Sequence, residues 1–155
     1  MASELPAGWL RVRTEEVAAP HRHAMATGPF GSAISSKYFV SEGVPVIRGS
    51  NLSEAIGTRL SHQSLVFIPE DLAAKFHRSE VRAGDLVFTC WGTIGQVGLI
   101  DERAEYERYI VSNKQMKLTP APLKAESLFL YYVFSSPEVM GSIQSQKIGS
   151  SVPGF

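Results

Sequence analysis

The sequence contains a single cysteine, Cys90, so an internal disulfide is excluded. No apolar run approaches the roughly 18 residues that a membrane span requires. The first ten residues, MASELPAGWL, lack the basic segment followed by an apolar segment that is typical of a secretory signal. We therefore expect a cytoplasmic protein without a membrane partner.

Recognisable catalytic and metal-binding patterns are also missing. His21 and His23 are two residues apart, with no cysteine or acid at metal-ligand spacing, so no metal site is predicted. The spacing of Gly92, Gly95 and Gly98 matches neither a P-loop nor a dinucleotide fingerprint. We expect no catalytic residues and no cofactor. A small hydrolase is the least favoured alternative, because a catalytic triad is assembled in space and need not leave a sequence motif.

The charge is balanced overall but unevenly distributed. Formal net charge is zero over 155 residues, of which 44% are hydrophobic, enough for one domain with its own core. Residues 60–109 are acidic on balance, whereas residues 11–59 and 110–155 each carry a small basic excess. Any basic surface must therefore be built from the first and last thirds of the chain.

The stretch 81–100, VRAGDLVFTCWGTIGQVGLI, is expected to organise the fold. Its apolar run 86–90 predicts a strand, followed by a glycine-rich turn and a second strand within 94–100. Cys90 at the strand end is interpreted as a core thiol. Trp91 is expected to be partly buried beside the turn. Gly92 and Gly95 are interpreted as shaping the turn rather than binding phosphate.

Strands and helices are predicted on either side of this stretch. Strands are predicted at 44–47 and 65–68. A short helix is predicted at 69–77, because proline suits its first turn and its acidic and basic residues lie at the ends that the helix dipole favours. The apolar segment 128–134 predicts a buried helix. Ser136 followed by Pro137 and Glu138 predicts the start of another helix, which extends to about residue 146.

An ordered set of short motifs resembles one family. The motifs are Leu5-Pro6 with Gly8-Trp9, Gly28-Pro29-Phe30-Gly31-Ser32, Gly43-Val44-Pro45-Val46-Ile47-Arg48-Gly49 with Asn51-Leu52, Gly84-Asp85-Leu86-Val87-Phe88, Gly92-Thr93-Ile94-Gly95, Tyr109-Ile110-Val111-Ser112, Tyr131-Tyr132 with Ser135-Ser136-Pro137, and Gly149-Ser150-Ser151-Val152-Pro153. Together they resemble a target recognition domain from the specificity subunit of Type I restriction-modification systems.

The resemblance implies an α+β fold: a single mixed domain, residues 1–155, with a twisted, largely antiparallel sheet and flanking short helices. It implies sequence-specific binding of double-stranded DNA at one half of a bipartite target, without catalysis by the domain itself. The implied partners are a methyltransferase (modification) subunit and a restriction subunit. S-adenosylmethionine, ATP and magnesium would belong to those subunits. The second recognition domain and the long spacer helices of the family are expected to be absent.

Side chains able to contact groove edges or phosphates occur in the two basic thirds and in the central turn. Arg and Lys suit guanine, Asn and Gln suit adenine, and Lys, Ser and Thr suit phosphates. The candidate DNA-binding residues are Lys37, Arg48, Ser50, Asn51, Thr93, Gln96, Asn113, Lys114, Gln115, Lys117, Lys147, Ser150 and Ser151.

Structural roles compete with these assignments. Arg48 and Asn51 are equally consistent with side chains that tie a loop to its own backbone. Lys114 alternates with Asn113 and Gln115, so these three side chains are not expected to point to one face of a strand, and at most one alternate set is expected to face DNA. The alternative function is a truncated specificity chain that acts as a protein-interaction or assembly-regulating module through self-association. Its candidate contact surface is the apolar segment 128–134.

Overall fold

The computed structural model describes residues 4–146, which contain four helices and eight strands. The helices are α1 (Thr14–Val17), α2 (Glu70–Ala74), α3 (Ser127–Ser135) and α4 (Pro137–Ser145). The strands are β1 (Met25–Thr27), β2 (Val44–Ile47), β3 (Val66–Ile68), β4 (Glu80–Val81), β5 (Leu86–Thr89), β6 (Val97–Leu99), β7 (Tyr109–Val111) and β8 (Gln115–Leu118). Short 3-10 turns cover Ser36–Tyr38, Gly49–Asn51 and His77–Ser79. The α+β class expected from the sequence is confirmed.

The strands form two four-stranded sheets. The first sheet has the order β1-β8-β5-β6, and all its neighbours are antiparallel. The second sheet has the order β3-β2-β7-β4, with β2 and β7 parallel and the other pairs antiparallel. Strand β7 belongs to the second sheet and β8 to the first, so the short turn at residues 112–114 carries the chain from one sheet to the other.

Burial is organised in layers around these sheets. One apolar cluster lies between the sheets and includes Ile47, Val87 and Tyr109. A second cluster packs the other face of the first sheet, including Phe88, against Leu130 and Tyr131 of α3. The second sheet is covered on its far side by α2 through Ala73 and its partly buried neighbours, which form a third cluster with Val46 and Ile110. Each sheet is therefore covered on both faces.

Local sequence signals account for several element boundaries. Ser136 begins α4 as its N-cap, with its Oγ accepting from the amide of Val139 at 3.4 Å and proline in the first turn. Strand β5 ends at Thr89, and the following turn uses positive φ angles of 98° at Gly92 and 115° at Gly95. The interpretation of these two glycines as shapers of the turn is confirmed.

Cys90 is buried, with its thiol 3.3 Å from the carbonyl oxygen of Lys114, as expected of a core thiol. Burial raises its pKa above the ordinary value, which opposes formation of a reactive thiolate.

None of the helices within residues 4–146 combines the length and apolar character needed to cross a bilayer. Across that same range, no group of three or more histidine, cysteine or acidic side chains is arranged to hold a metal ion.

Candidate nucleic-acid interface

Three strand ends meet at one edge of the molecule. Strands β2 and β7 run parallel, with Ile47 beside Val111, so both end at the same edge of the second sheet. In the first sheet Thr89, at the end of β5, lies opposite Gln115, at the start of β8. The turn between β7 and β8 connects these two edges. Residues distant in sequence therefore follow the strand ends into a common region.

This region is a cleft of about 540 Å³, here called the strand-end cleft. Its lining residues come from the segment before β2, from β2 and the segment after it, from the end of β5 and the turn after it, and from the turn before β8 and the first residue of β8. They are Ile34, Phe39, Val46, Arg48, Gly49, Ser50, Thr89, Trp91, Gly92, Thr93, Gln96, Ser112, Asn113, Lys114 and Gln115. Seven of the thirteen candidate DNA-binding residues lie here: Arg48, Ser50, Thr93, Gln96, Asn113, Lys114 and Gln115.

The rim of the cleft carries side chains that a ligand can reach. Ser50, Thr93, Asn113 and Lys114 are exposed. Trp91 is 44% exposed, so its expected partial burial is confirmed. Among the described residues that line the cleft, two are cationic and none is acidic. The cleft therefore offers positive charge in a chain that is neutral overall.

Arg48 occupies the wall of the cleft. Its backbone is fixed because the amide donates to Asn51 Oδ1 at 2.9 Å. Its Nη2 donates to the carbonyl of Ser64 at 3.0 Å, and its guanidinium carbon lies 5.9 Å from the centroid of the Phe39 ring. The buried Nε has no hydrogen-bond partner within residues 4–146. The guanidinium is thus positioned by aromatic and backbone contacts rather than by an acid.

The floor of the cleft is a connected polar network. The hydroxyl of Thr89 donates to Gln96 Oε1 at 3.0 Å, and Gln115 Nε2 donates to the Thr89 hydroxyl at 3.4 Å. Gln115 also accepts from the hydroxyl of Ser112, and Gln96 Nε2 donates to the carbonyl of Leu52 at 3.3 Å. Such networks hold their members in fixed orientations when the groups are satisfied. Gln96 and Gln115 therefore support the cleft more than they present free groups to a ligand.

The loop at residues 28–32 packs against the turn before β8. Gly28 donates its amide to the carbonyl of Gln115 at 2.9 Å. A Cβ at Gly28 would lie only 1.8 Å from the carbonyl oxygen of Ser112, so this approach requires glycine. Asn113 Nδ2 donates to the carbonyl of Gly31 at 3.0 Å. These contacts fix the turn that presents Asn113 and Lys114.

The assignment of Asn51 and Lys117 as DNA-binding residues is corrected, because both side chains are buried. Asn51 is fully buried, and its Nδ2 donates to the carbonyls of Ser61 and Gln63, both at 3.1 Å. Its role is to tie the loop after β2 to its own backbone, which was the competing interpretation. Lys117 points between the sheets because it alternates with Met116 and Leu118, which face α3. Its Nζ donates to the carbonyl of Glu80 at 2.7 Å.

The remaining candidates lie elsewhere. Lys37 is exposed, with its ammonium 4.8 Å from the centroid of the Tyr38 ring, and it does not line the cleft. Lys147, Ser150 and Ser151 fall outside the described residues.

The expectation that residues 113–115 divide between two faces of a strand is wrong. Strand β7 ends at Val111 and β8 begins at Gln115, so Asn113 and Lys114 lie in a turn and both line the cleft.

Thr89, Ser112 and Phe39 were not among the sequence candidates, although all three line the cleft. Thr89 is the one polar residue of strand β5, and this exception to the apolar pattern could have marked it as a candidate. Ser112 stood next to three candidates. Phe39 gave no signal, because an aromatic residue near a turn is most often part of the core.

Comparison of the chain with models of known protein families and with curated protein sequences gives no match.

Proposed function

We propose that this chain binds double-stranded DNA through the strand-end cleft and reads one half of a bipartite target. It would do so as the non-catalytic specificity component of a cytoplasmic Type I restriction-modification complex. Its partners would be a methyltransferase subunit that carries S-adenosylmethionine and an ATP- and magnesium-dependent restriction subunit. The proposal joins the motif resemblance to the properties of the cleft.

One observation carries the proposal: cationic and hydrogen-bonding side chains from three separate chain segments converge on one acid-free cleft. Arg48 comes from the first third, Thr93 from the centre and Lys114 from the last third. Lys, Arg, Ser and Thr side chains commonly contact phosphates, and readout of bases requires side chains that reach the groove edges. Of the side chains at this cleft, Asn113 and Arg48 suit base edges, whereas Ser50, Thr93 and Lys114 suit phosphates.

The energetic expectation is modest affinity with sequence preference. Nonspecific affinity for DNA comes largely from cation–phosphate contacts, and a neutral chain with two cations at the cleft makes few of them. A bidentate side-chain contact with a base discriminates by about 1–3 kcal/mol against the wrong base. The remaining affinity in an intact complex would come from the methyltransferase subunit and a second recognition domain.

The test is a transplant. This chain, residues 1–155, replaces one recognition domain in an intact Type I specificity subunit. Methylated adenines are then mapped across a genome. We expect one half of the methylated site to change while the other half stays the same. A matched transplant carrying Arg48→Gln and Asn113→Ala should relax the new half-site. Methylation of the original, unchanged bipartite site by the chimera would contradict the proposal.

A second candidate function is supported by an exposed aromatic surface. Trp9 is 53% exposed, and Phe129 and Tyr132 on α3 are 46% and 45% exposed. The rings of Trp9 and Phe129 pack edge to face with centroids 5.6 Å apart. Exposed aromatic groups of this kind favour protein contacts. This surface would support the alternative function, an assembly-regulating module that associates with itself or with a specificity subunit.

Sedimentation velocity with and without duplex DNA separates the two candidates. Self-association that is abolished by Trp9→Ala with Phe129→Gln, retained in the exposed-site control Leu123→Gln and unaffected by DNA would favour the interaction module. A monomer that forms a complex with duplex would favour the DNA-binding function.

A further inference from the structure

A second cavity lies at the edge strand β1 of the first sheet. It has a volume of about 680 Å³. Most of its lining residues come from β1 and the segment before it, from β5 and β8, from the 3-10 turn His77–Ser79, and from the last turns of α3 and α4. We call it the β1 cavity. Its volume falls within the range of roughly 300–1,000 Å³ that is usual for small-molecule sites. It shares no lining residue with the strand-end cleft.

Most of the wall of the β1 cavity is apolar. Phe88 and Met116 contribute the sheet surface, Phe134 and Ile143 contribute the helices, and Met25 lies at the edge strand. Phe88 and Phe134 pack edge to face with ring centroids 4.9 Å apart, so this wall is well defined. Such a surface accommodates a hydrocarbon chain or ring.

The polar part of the wall has one sign of charge. Arg22, Arg78 and Lys117 line the cavity together with His23, and no acid does so among the described residues. Arg22 and Arg78 are exposed, and Arg22 Nε donates to His23 Nε2 at 3.1 Å. The carboxylate of Asp85 lies 4.0 Å from Lys117 Nζ, which also donates to the carbonyl of Glu80. Of these cations, Lys117 already has local partners.

Burial lowers the pKa of two basic groups in the wall of the cavity, and neighbouring positive charge adds to the effect at His23 alone. Partial burial and then the neighbouring Arg22 and His77 lower the pKa of His23 below its ordinary value. Burial also lowers the pKa of Lys117, despite the opposing effect of Asp85 and Glu80. A bound anion would offset both effects, because it favours the charged forms of these groups.

We propose that the β1 cavity binds a free carboxylic acid with an apolar body, such as a medium-chain fatty acid. The hydrocarbon part occupies the wall formed by Phe88, Met116, Phe134 and Ile143. The carboxylate accepts hydrogen bonds from Arg22 and Arg78 at the mouth. This inference concerns a different cavity from the proposed DNA site and stands whether or not the chain binds DNA.

Isothermal titration calorimetry with decanoate, below its micelle-forming concentration, tests the proposal. We expect saturable binding of one decanoate per chain. Decanol and decyltrimethylammonium, which keep the apolar chain but lack the negative charge, should bind at least about tenfold more weakly, as expected for loss of a charge-assisted hydrogen bond.

Variants assign binding to this cavity. Arg22→Gln with Arg78→Gln should weaken decanoate binding by about tenfold or more. Lys124→Gln removes an exposed charge that lines neither cavity, and it should leave binding unchanged. Circular dichroism of each variant establishes that the fold is retained. Absence of saturable binding, equal binding of the three ligands, or unchanged binding in the double variant would each overturn the proposal.

Discussion

The amide of Ser112 donates to the carbonyl of Ile47 at 3.0 Å, continuing the pairing of the parallel strands β2 and β7 by one step. The next residue of each segment, Arg48 and Asn113, therefore leaves its strand at the same edge of the sheet. Both line the strand-end cleft. This backbone contact joins segments from the two basic thirds of the chain, which the sequence separates by more than sixty residues.

Lys114→Gln is predicted to weaken binding of duplex DNA at low salt and to reduce its dependence on salt. Because each neutralised phosphate contributes about −0.9 to the slope of log K against log salt, loss of one contact should reduce the slope by about 0.9. Fluorescence anisotropy with one duplex at several salt concentrations measures this change.

Lys124→Gln is the matched control for this measurement, because Lys124 is exposed and lies outside the cleft. It should leave the salt slope unchanged. Equal slopes for Lys114→Gln and the wild type would show that Lys114 makes no phosphate contact.

Asn51→Ala is predicted to destabilise the fold strongly. The substitution removes three hydrogen bonds, to the amide of Arg48 and to the carbonyls of Ser61 and Gln63, at a fully buried position. Leaving buried polar groups unsatisfied costs about 1–3 kcal/mol for each group, and partial relaxation should limit the total loss in unfolding free energy to about 2–4 kcal/mol. Urea denaturation measures the loss.

Asn113→Ala provides the comparison for Asn51, because its side chain is exposed and makes one hydrogen bond, to Gly31. It should cost at most about 1 kcal/mol. A larger loss for Asn113→Ala than for Asn51→Ala would contradict the assignment of Asn51 as the residue that fixes the loop.

Gly28→Ala is predicted to reduce the free energy of unfolding by at least about 2 kcal/mol, because its Cβ would collide with backbone rather than with a movable side chain. Gly141→Ala is the matched control: Gly141 lies within α4, and a Cβ there meets nothing within 4 Å. That substitution should stabilise the helix by up to about 1 kcal/mol. Thermal and urea unfolding of both variants measure the free energy of unfolding, which should fall for Gly28→Ala and rise for Gly141→Ala.

Asp101→Asn is predicted to destabilise the fold at neutral pH and to flatten the acid side of its stability curve. Burial alone would raise the pKa of Asp101, but hydrogen bonds from Arg59 and from the Arg103 amide outweigh it, so the net shift is downward. With the folded pKa below the unfolded value of about 3.9, the contribution is complete above that value. It is lost as the pH falls through the folded pKa.

Urea titrations between pH 2 and pH 7 test whether the stability contributed by Asp101 decreases as the pH falls. The difference in unfolding free energy between the wild type and Asp101→Asn should be about 1–3 kcal/mol at neutral pH and should shrink below about pH 4. Glu42 is exposed and makes no ion pair within residues 4–146, so Glu42→Gln should give only a small difference in unfolding free energy at neutral pH. A difference for Asp101→Asn that grows as the pH falls would contradict the assignment.

Most regular elements could be predicted from local patterns. The β5 strand, the turn after it and the start of α4 at Ser136 were found because apolar runs, glycines and a capping serine are local signals. Alternation of apolar and basic residues at 9–13 predicts a half-exposed strand, and this prediction is wrong because the segment pairs with neither sheet. The division of the strands between two sheets could not be predicted, since strand pairing depends on contacts between distant segments.

The members of the cleft were predicted better than their roles. Residue type selected Arg48, Thr93 and Lys114, which line the cleft, because their chemistry suits a polar surface. It could not separate them from Asn51 and Lys117, because burial is decided by loop closure and by the direction in which a strand side chain points. The hydrogen-bond network of Thr89, Gln96 and Gln115 at the floor of the cleft could not be predicted either, since its partners come from separate segments of the chain.

The two tryptophans allow the most direct test of the central claim. Trp91 lines the strand-end cleft, whereas Trp9 packs against Phe129 on the exposed aromatic surface. In a ¹⁵N-labelled sample titrated with duplex DNA, the indole N–H signal of each tryptophan can be followed separately. The proposed function predicts that the Trp91 signal shifts progressively with DNA while the Trp9 signal stays in place. A shift of Trp9 alone, or no shift of Trp91 at saturating DNA, would contradict it.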